Sequence, residues 1–348
     1  MLPAPPQSSA HCNKKSPKFK SMCSPQWFFA DSQAEIRNYI PTRSDIGIIQ
    51  KNPMEMDIPA TERAVSDFLA ALDAKAVQTG ALLREQTYDL VACDISPLGI
   101  QAAQSAGIPS LLFENFTWDW IYQPFTAQHP AFQGIIRELA AIYSSVENHC
   151  QLIPFCGGVK GGAHIIHPVS REPRQDPVET RRRLGIQPGE KMGLISMGGI
   201  PNDFENITSQ ATVPQDVKLV IPGNFTAPPR HPAITILPHR SGFYHPDLVA
   251  AADFVIGKAG YSTIAEVSAQ RTPFGYLLRD DFRESEDFRG YLQDQDFTVE
   301  ISREHFESFD LAEDIARLSA LQPSKGQLIP TNGASEAADF ILQTLLAA

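Results

Sequence analysis

The sequence lacks any unbroken run of about 18 apolar residues, the length that spans a bilayer, and its first residues hold no apolar core of the signal-peptide kind. A membrane-spanning chain is therefore not expected, and peripheral membrane contact is left open. Cysteine is scarce. Cys12, Cys23, Cys93, Cys150 and Cys156 are odd in number and form no C-x-x-C pair, so neither a disulfide framework nor a zinc site is indicated. A reducing, cytoplasmic setting fits. Positive charge is in deficit, with 29 Lys and Arg against 40 Asp and Glu and a formal net charge of −11. Such a chain has no sequence-independent grip on nucleic acid phosphates, so small-molecule partners are expected. Glycine is missing ahead of Gly47.

What is present suits a globular α/β protein. The composition is 43% apolar and 20% charged, and 348 residues allow two domains that each bury a core. Residues 1–16 are rich in Pro, Ser and Lys without periodicity and read as disordered. Strands are expected at Phe19 to Ser24 and Asp45 to Gln50. A single helix is expected from Thr61 to Gln86, with Thr61 as its cap and Val65, Phe68, Leu69, Leu72 and Ala76 along its apolar face. Tyr88 to Cys93 then reads as a buried strand delivering Asp94 at its end, and Ser110 to Phe113 as another. The repeated strand, helix, strand spacing argues for parallel βαβ units.

The densest chemistry lies between Ala252 and Asp287. An apolar run at Phe254 to Ile256 meets Gly257 and Gly260, and a helix follows whose start, Thr263-Ile-Ala-Glu266, fits a capping box. Free amides at a helix start favour an anion, and a diphosphate is the natural guest.

Gly260, Ser262, Thr263 and Glu266 resemble the donor-binding segment of GT-B glycosyltransferases, notably the enzyme that adds N-acetylglucosamine to the lipid-linked peptidoglycan precursor. Asp94-Ile-Ser-Pro97, Asn115 to Tyr122 and Gly257-Lys-Ala-Gly-Tyr261 resemble the glycosyltransferase-like module of L-arabinokinase type, over roughly residues 20 to 346. The resemblance implies two Rossmann-like domains facing a cleft. The first would span 17–170 and take the acceptor; the second would span 177–333 and take the nucleotide sugar. A linker is expected at 168–176, and residues 334–348 would form a helix crossing back to the first domain.

By the same resemblance, Glu266 would hold the ribose hydroxyls while the glycine loop faces the diphosphate. Gly198 and Gly199, His239 and Arg240, Lys258, Tyr261 and Arg283 join them as donor-binding candidates. Arg283 ranks above Arg279 for its place behind the next strand, since a guanidinium can grip phosphate through two bonds. Asp94 is the candidate catalytic base, with helix capping as its ordinary alternative. Asn115, Trp118 and Asp119 are candidate acceptor contacts. Asp294-Gln-Asp296 matches D-x-D by letter but falls behind a helix, and His164 and His167 read as structural. No metal and no cofactor are expected, the nucleotide-diphosphate sugar being a co-substrate.

The family pattern opens with a strand and a glycine-rich loop that often carries a catalytic His, and no such segment stands here. Its loss would leave open edges in the first sheet, and residues 1–16 read as a replacement for it. The expected function is transfer of a hexosyl group from a nucleotide-diphosphate sugar to a hydroxyl. The alternatives are a non-catalytic nucleotide-sugar sensor and a sugar-nucleotide epimerase.

Overall fold

A computed structural model of the chain describes residues 42–52, 54–197, 212–223, 231–238, 241–321 and 333–347. The expected strand at Phe19 to Ser24 and the missing opening unit lie outside them.

The first lobe begins with a short antiparallel pair, β1 (Gln50–Asn52) and β2 (Glu55–Met56). The strand expected at Asp45 to Gln50 is absent. Gly47 has a positive φ of 68°, and the carbonyls of Ser44 and Gly47 are taken by Leu98 N and the Tyr122 hydroxyl rather than by a neighbouring strand. The expected long helix is two: α1 (Ile58–Ala70) and α2 (Leu72–Glu85), broken at Ala71. Asp57, not Thr61, caps α1, its carboxylate accepting from Ala60 N at 2.9 Å. Thr61 instead donates to the Asp57 carbonyl and accepts from Ile49 N.

β3 (Val91–Asp94), α3 (Pro97–Ala106), β4 (Ser110–Glu114), α4 (Trp118–Ile121), α5 (Phe132–Ser144), β5 (Asn148–Leu152) and β6 (His164–Ile166) complete the lobe. Its sheet is parallel in the order β3-β4-β5-β6. Ser96 caps α3 by accepting from Gly99 N, Pro97 supplies the first turn, and Gly107 closes the helix in the left-handed region. Capping therefore does not occupy Asp94.

The second lobe starts with α6 (Pro177–Arg183) and builds a six-stranded parallel sheet. Its strands are β7 (Lys191–Ser196), β8 (Val217–Pro222), β9 (Ile234–Leu237), β10 (Phe254–Lys258), β11 (Phe274–Leu277) and β12 (Thr298–Glu300). Every residue of β10 and β11 is buried, as a strand covered on both faces requires. On one face α7 (His245–Ala251), α8 (Tyr261–Gln270) and α9 (Glu284–Gln293) set Leu248, Ile264, Val267 and Phe288 against Leu194 and Val255. On the other, α10 (Arg303–Ser308) and α11 (Ala312–Ala320) set Phe306, Ile315 and Leu318 against Ile195 and Ile256. The order β12-β11-β10-β7-β8-β9 reverses between β10 and β7, and ligands of open α/β sheets sit outside the strand ends at such a reversal.

The last helix, α12 (Gly333–Ala347), returns to the first lobe. Phe340 stacks on His164 at 4.6 Å, and the Glu336 carboxylate accepts from His167 N and pairs with His167 Nδ1, both at 2.8 Å. Both histidines thus have a structural part, seating this helix on the first lobe. No helix among the described residues is long and apolar enough to cross a membrane.

Candidate functional site

At the reversal, Gly257 of β10 lies against Ser196 of β7 so closely that a Cβ would collide with the Ser196 carbonyl. Glycine is required there for the two strands to approach. Beyond it, Lys258 and then Gly260 lead into α8. Gly260 is the N-cap, with no side chain accepting from the first amides. The expected capping box is therefore absent: the helix starts a turn before Thr263, and Glu266 points elsewhere. The outcome is an α8 N-terminus whose free amides keep their donor capacity.

Lys258 folds its side chain over that N-terminus, its Cε 3.9 Å from the Cβ position at Gly260. It is 8% exposed and makes no hydrogen bond or ion pair among the described residues. Burial, reinforced by the nearby Arg279 and opposed by Glu284, pushes its ammonium down to about 8. Arg279, just past β11, is 6% exposed. Its Nη2 donates to Glu284 Oε1 at 2.7 Å and its guanidinium lies 3.5 Å over the Phe282 ring, while Nη1 has no partner. Glu284 is thus bonded to Arg279 alone, with Lys258 near enough to feel its charge, and its own carboxyl is raised by burial against the pull of Arg279 and Lys258. The residual charge at this strand end is positive.

Glu266 is buried, its side chain 3% exposed, and both oxygens are engaged. Oε1 accepts from Arg171 Nε at 2.9 Å and Nη2 at 2.6 Å; Oε2 meets His245 Nδ1 at 2.7 Å. His245 Nε2 is 2.9 Å from the Ser196 hydroxyl, so a chain of contacts runs from the end of β7 through α7 and α8 to the interlobe segment. Burial works to raise the Glu266 carboxyl, but His245 and Arg171 outweigh it and hold the group below the ordinary carboxylate range. Arg171, His245 and Ser196 were invisible as partners in the sequence, the three links (Arg171 to Glu266, His245 to Glu266 and Ser196 to His245) spanning 95, 21 and 49 residues.

In the first lobe Asp94 stands exposed at the end of β3, yet burial of its surroundings raises its carboxyl. Ile95 behind it has φ of 49°, a conformation that costs a β-branched residue free energy and marks a constrained turn. Asp45, which sequence reading passed over, is half-buried beside it: burial first, then the Asp94 charge, raise Asp45 to about 7. Ser44, bonded through its carbonyl to Leu98 N and Ser96 Oγ, fixes that neighbourhood. In the second lobe, burial raises the Tyr261 phenol, its bond from Val169 N works against that, and the Asp94 charge adds to the rise.

The candidate acceptor loop is packed rather than open. Trp118 is 9% exposed and stacks on Tyr122 at 5.8 Å, which makes it a core residue. Asn115 Nδ2 and Asp119 Oδ1 are buried without partners. Arg283 does not join the cation pair. Its Nη1 donates to the Trp120 carbonyl at 2.5 Å and Gln123 Oε1 at 2.6 Å, and its guanidinium lies 4.1 Å over the Trp120 ring. It spends its donors on the first lobe. Gly198, Gly199, His239 and Arg240 lie outside the described residues. Asp296 is tied to Arg271, and no group of His, Cys, Asp and Glu among the described residues could hold a metal.

No family model matches the chain. It is similar to L-arabinokinase of Arabidopsis thaliana, 27% identical over 265 residues that cover 74% of this chain and 25% of that protein. It is also similar to the UDP-N-acetylglucosamine–N-acetylmuramyl-(pentapeptide) pyrophosphoryl-undecaprenol N-acetylglucosamine transferase of Tropheryma whipplei, 27% identical over 158 residues, 41% of this chain and 43% of that protein. The chain therefore spans less than half the length of either relative. Among solved structures, the kitacinnamycin glycotransferase superposes with a TM-score of 0.59 at 17% identity, covering 90% of this chain and 88% of the other. The calicheamicin glycosyltransferase does so with a TM-score of 0.59 at 13% identity, covering 93% and 89%. With two parallel α/β sheets and a C-terminal helix that returns to the first lobe, the chain has the GT-B fold of these two glycosyltransferase structures.

Proposed function

We propose that the second lobe binds a nucleotide-diphosphate sugar and that the protein transfers its hexosyl group to a hydroxyl acceptor held by the first lobe. The observation that carries this reading is the under-paired cation pair, Lys258 and Arg279, at the sheet reversal beside the uncapped start of α8. A buried ammonium without a partner is costly, and an anion supplied by a ligand relieves that cost. In the reaction the bond from the acceptor oxygen to the sugar C1 forms as the bond from C1 to the phosphate oxygen breaks. The electron pair leaves on the diphosphate, whose charge Lys258, Arg279 and the α8 amides stabilise. Asp94, with Asp45 beside it, takes the acceptor proton.

The similarity to a UDP-N-acetylglucosamine transferase supports uridine diphosphate as the first nucleotide to try. Titration calorimetry against a panel of nucleoside diphosphates and their sugars tests the binding step: micromolar or tighter binding of one of them supports it, and no binding across the panel ends it. A second reading, nucleotide-sugar binding without turnover, is favoured by the closure of Glu266 on Arg171 and His245. Tight binding with no transfer and no donor hydrolysis would select it.

A further inference from the structure

We propose that Phe282 is a positioning residue for the anion site: anchored in the core of the first lobe, it fixes the direction in which Arg279 of the second lobe presents its unpaired donor. The grip on a diphosphate then depends on the two lobes being docked. The proposal rests on the reading that Lys258 and Arg279 receive an anion.

Phe282 belongs by sequence to the second lobe, in the turn between β11 and α9. Its side chain is 5% exposed and packs into a hydrophobic cluster whose other buried members run from Ile46 to Tyr143, all of them first-lobe residues. Arg283 follows it across, donating to the Trp120 carbonyl and to Gln123 Oε1. The turn itself is closely bonded. Phe282 N and Ser285 Oγ donate to the Arg279 carbonyl at 3.4 and 2.7 Å, and Ser285 N donates to the Phe282 carbonyl at 2.9 Å.

The Arg279 guanidinium is held on one edge and on one face. On the edge, Nη2 donates to Glu284 Oε1 at 2.7 Å; on the face, Cζ lies 3.5 Å from the centre of the Phe282 ring. A guanidinium is planar and its donors form a fixed fork, so an edge and a face together set where Nη1 points. That donor is buried and has no partner among the described residues. Glu284 by itself would let the plane turn about the ion pair, and the ring removes that freedom. The ring is fixed in turn by the first lobe, because a close-packed core holds its side chains in discrete arrangements. An apolar contact between lobes would be served equally well by leucine. What phenylalanine adds is a face that attracts a cation, most strongly where water is excluded.

The test uses the full chain, inorganic pyrophosphate as the probe and titration calorimetry, with thermal unfolding of each variant in parallel. Phe282→Leu keeps an apolar side chain in the first-lobe core and removes the ring face. It should bind pyrophosphate about five- to tenfold more weakly, the scale of one desolvated cation–π contact. Phe282→Tyr restores the ring and should return to within about twofold of the native affinity. In a background of Arg279→Gln with Glu284→Gln, no guanidinium remains to be oriented and no carboxylate is stranded. There Phe282→Leu should change affinity by less than about twofold. If Phe282→Leu does not fold, the native chain carrying fluorinated phenylalanine decides: pyrophosphate should shift the resonance that Phe282→Tyr deletes, and an unmoved resonance overturns the inference. Native-like binding by Phe282→Leu, or an equal loss in the doubly substituted background, overturns it while leaving the anion site intact. No pyrophosphate binding by the native chain ends the anion-site reading and this inference with it.

Discussion

Lys258 and Arg279 stand at the ends of adjacent strands, both buried, and among the described residues Glu284 is the carboxylate whose charge acts on both. Because Arg279 has the ion pair and Lys258 has none among the described residues, the two should respond oppositely to removal. Arg279→Gln strands a buried carboxylate, and its cost should be about 3–5 kcal/mol. Lys258→Met removes an unpaired charge and keeps the stem, so stability should rise, by about 1 kcal/mol. Both should weaken pyrophosphate and nucleoside diphosphate binding. Urea unfolding and calorimetry on the pair of variants check this, and a destabilised Lys258→Met with intact affinity would count against the site.

Anion binding should depend on pH through Lys258. Its free-state ammonium loses its proton near pH 8, and a bound anion raises that value. Affinity should therefore hold steady below about pH 8 and fall above it, with one proton taken up on binding in the window just above. For the unliganded protein the sign is reversed. The folded value lies below the ordinary lysine value of about 10.4. The unfolded chain then binds more protons between the two, and this group's contribution to stability grows as pH rises through them. Titrations at several pH values in buffers of differing ionisation heat would report both.

Asp45 and Asp94 should make the first lobe sensitive to pH in the range where most carboxylates are silent. The folded Asp45 value of about 7 exceeds its unfolded value, so the folded state holds a proton that the unfolded state has lost. Stability from this group is present at acid pH and declines as pH rises from the ordinary aspartate range toward 7. Asp45→Asn removes the decline. The difference in Tm between Asp45→Asn and the native chain should be small at about pH 4 and grow to several degrees in favour of the variant at about pH 8. Constancy of that difference would mean that Asp45 is not raised.

Arg283 should prove a lobe-to-lobe contact and not a donor contact. Loss of its bonds to Trp120 and Gln123 and of its stacking on the Trp120 ring should cost about 1–3 kcal/mol on Arg283→Ala. Nucleotide affinity should change less than threefold. A large loss of affinity with unchanged stability would restore it to the donor site.

The glycine at β10 offers a control on the strand geometry. Gly257→Ala places a methyl against the Ser196 carbonyl, and neither is the end of a flexible side chain. Overpacking of this kind typically costs about 1–3 kcal/mol and more where backbone must shift. The expected sign is a lower Tm with secondary structure retained by circular dichroism.

Much of the second lobe could be read along the chain because its signals are local. Phe254 to Ile256 are apolar throughout because the strand is covered on both faces, and the glycines behind them mark the close approach to β7 and the start of α8. The same locality misled at Thr263. The S/T-x-x-E spacing is satisfied by letters, but a helix begins where the backbone turns, at Gly260, and that frees Glu266 for partners far away. Likewise Val65 to Leu83 keep one apolar face across Ala71, so periodicity alone did not register the break. Arg279 and Arg283 carry the same functional group four residues apart. Only the direction each takes on leaving β11 separates a buried half-paired cation from a bridge to Trp120.

From the amino acids alone came parallel βαβ units, the strand-loop-helix at Phe254 to Gln270, and the placing of Asp94 at a strand end, since hydrophobic period, glycine and proline act within a few residues; the GT-B architecture came from the resemblance those motifs carry. Tertiary structure decided the charges. Whether Glu266 meets Arg171, whether Lys258 goes unpaired and whether Asp45 stands beside Asp94 all depend on contacts between segments tens of residues apart. Electrostatic free energy is set by separation in space and by burial, and neither is written in the order of the chain.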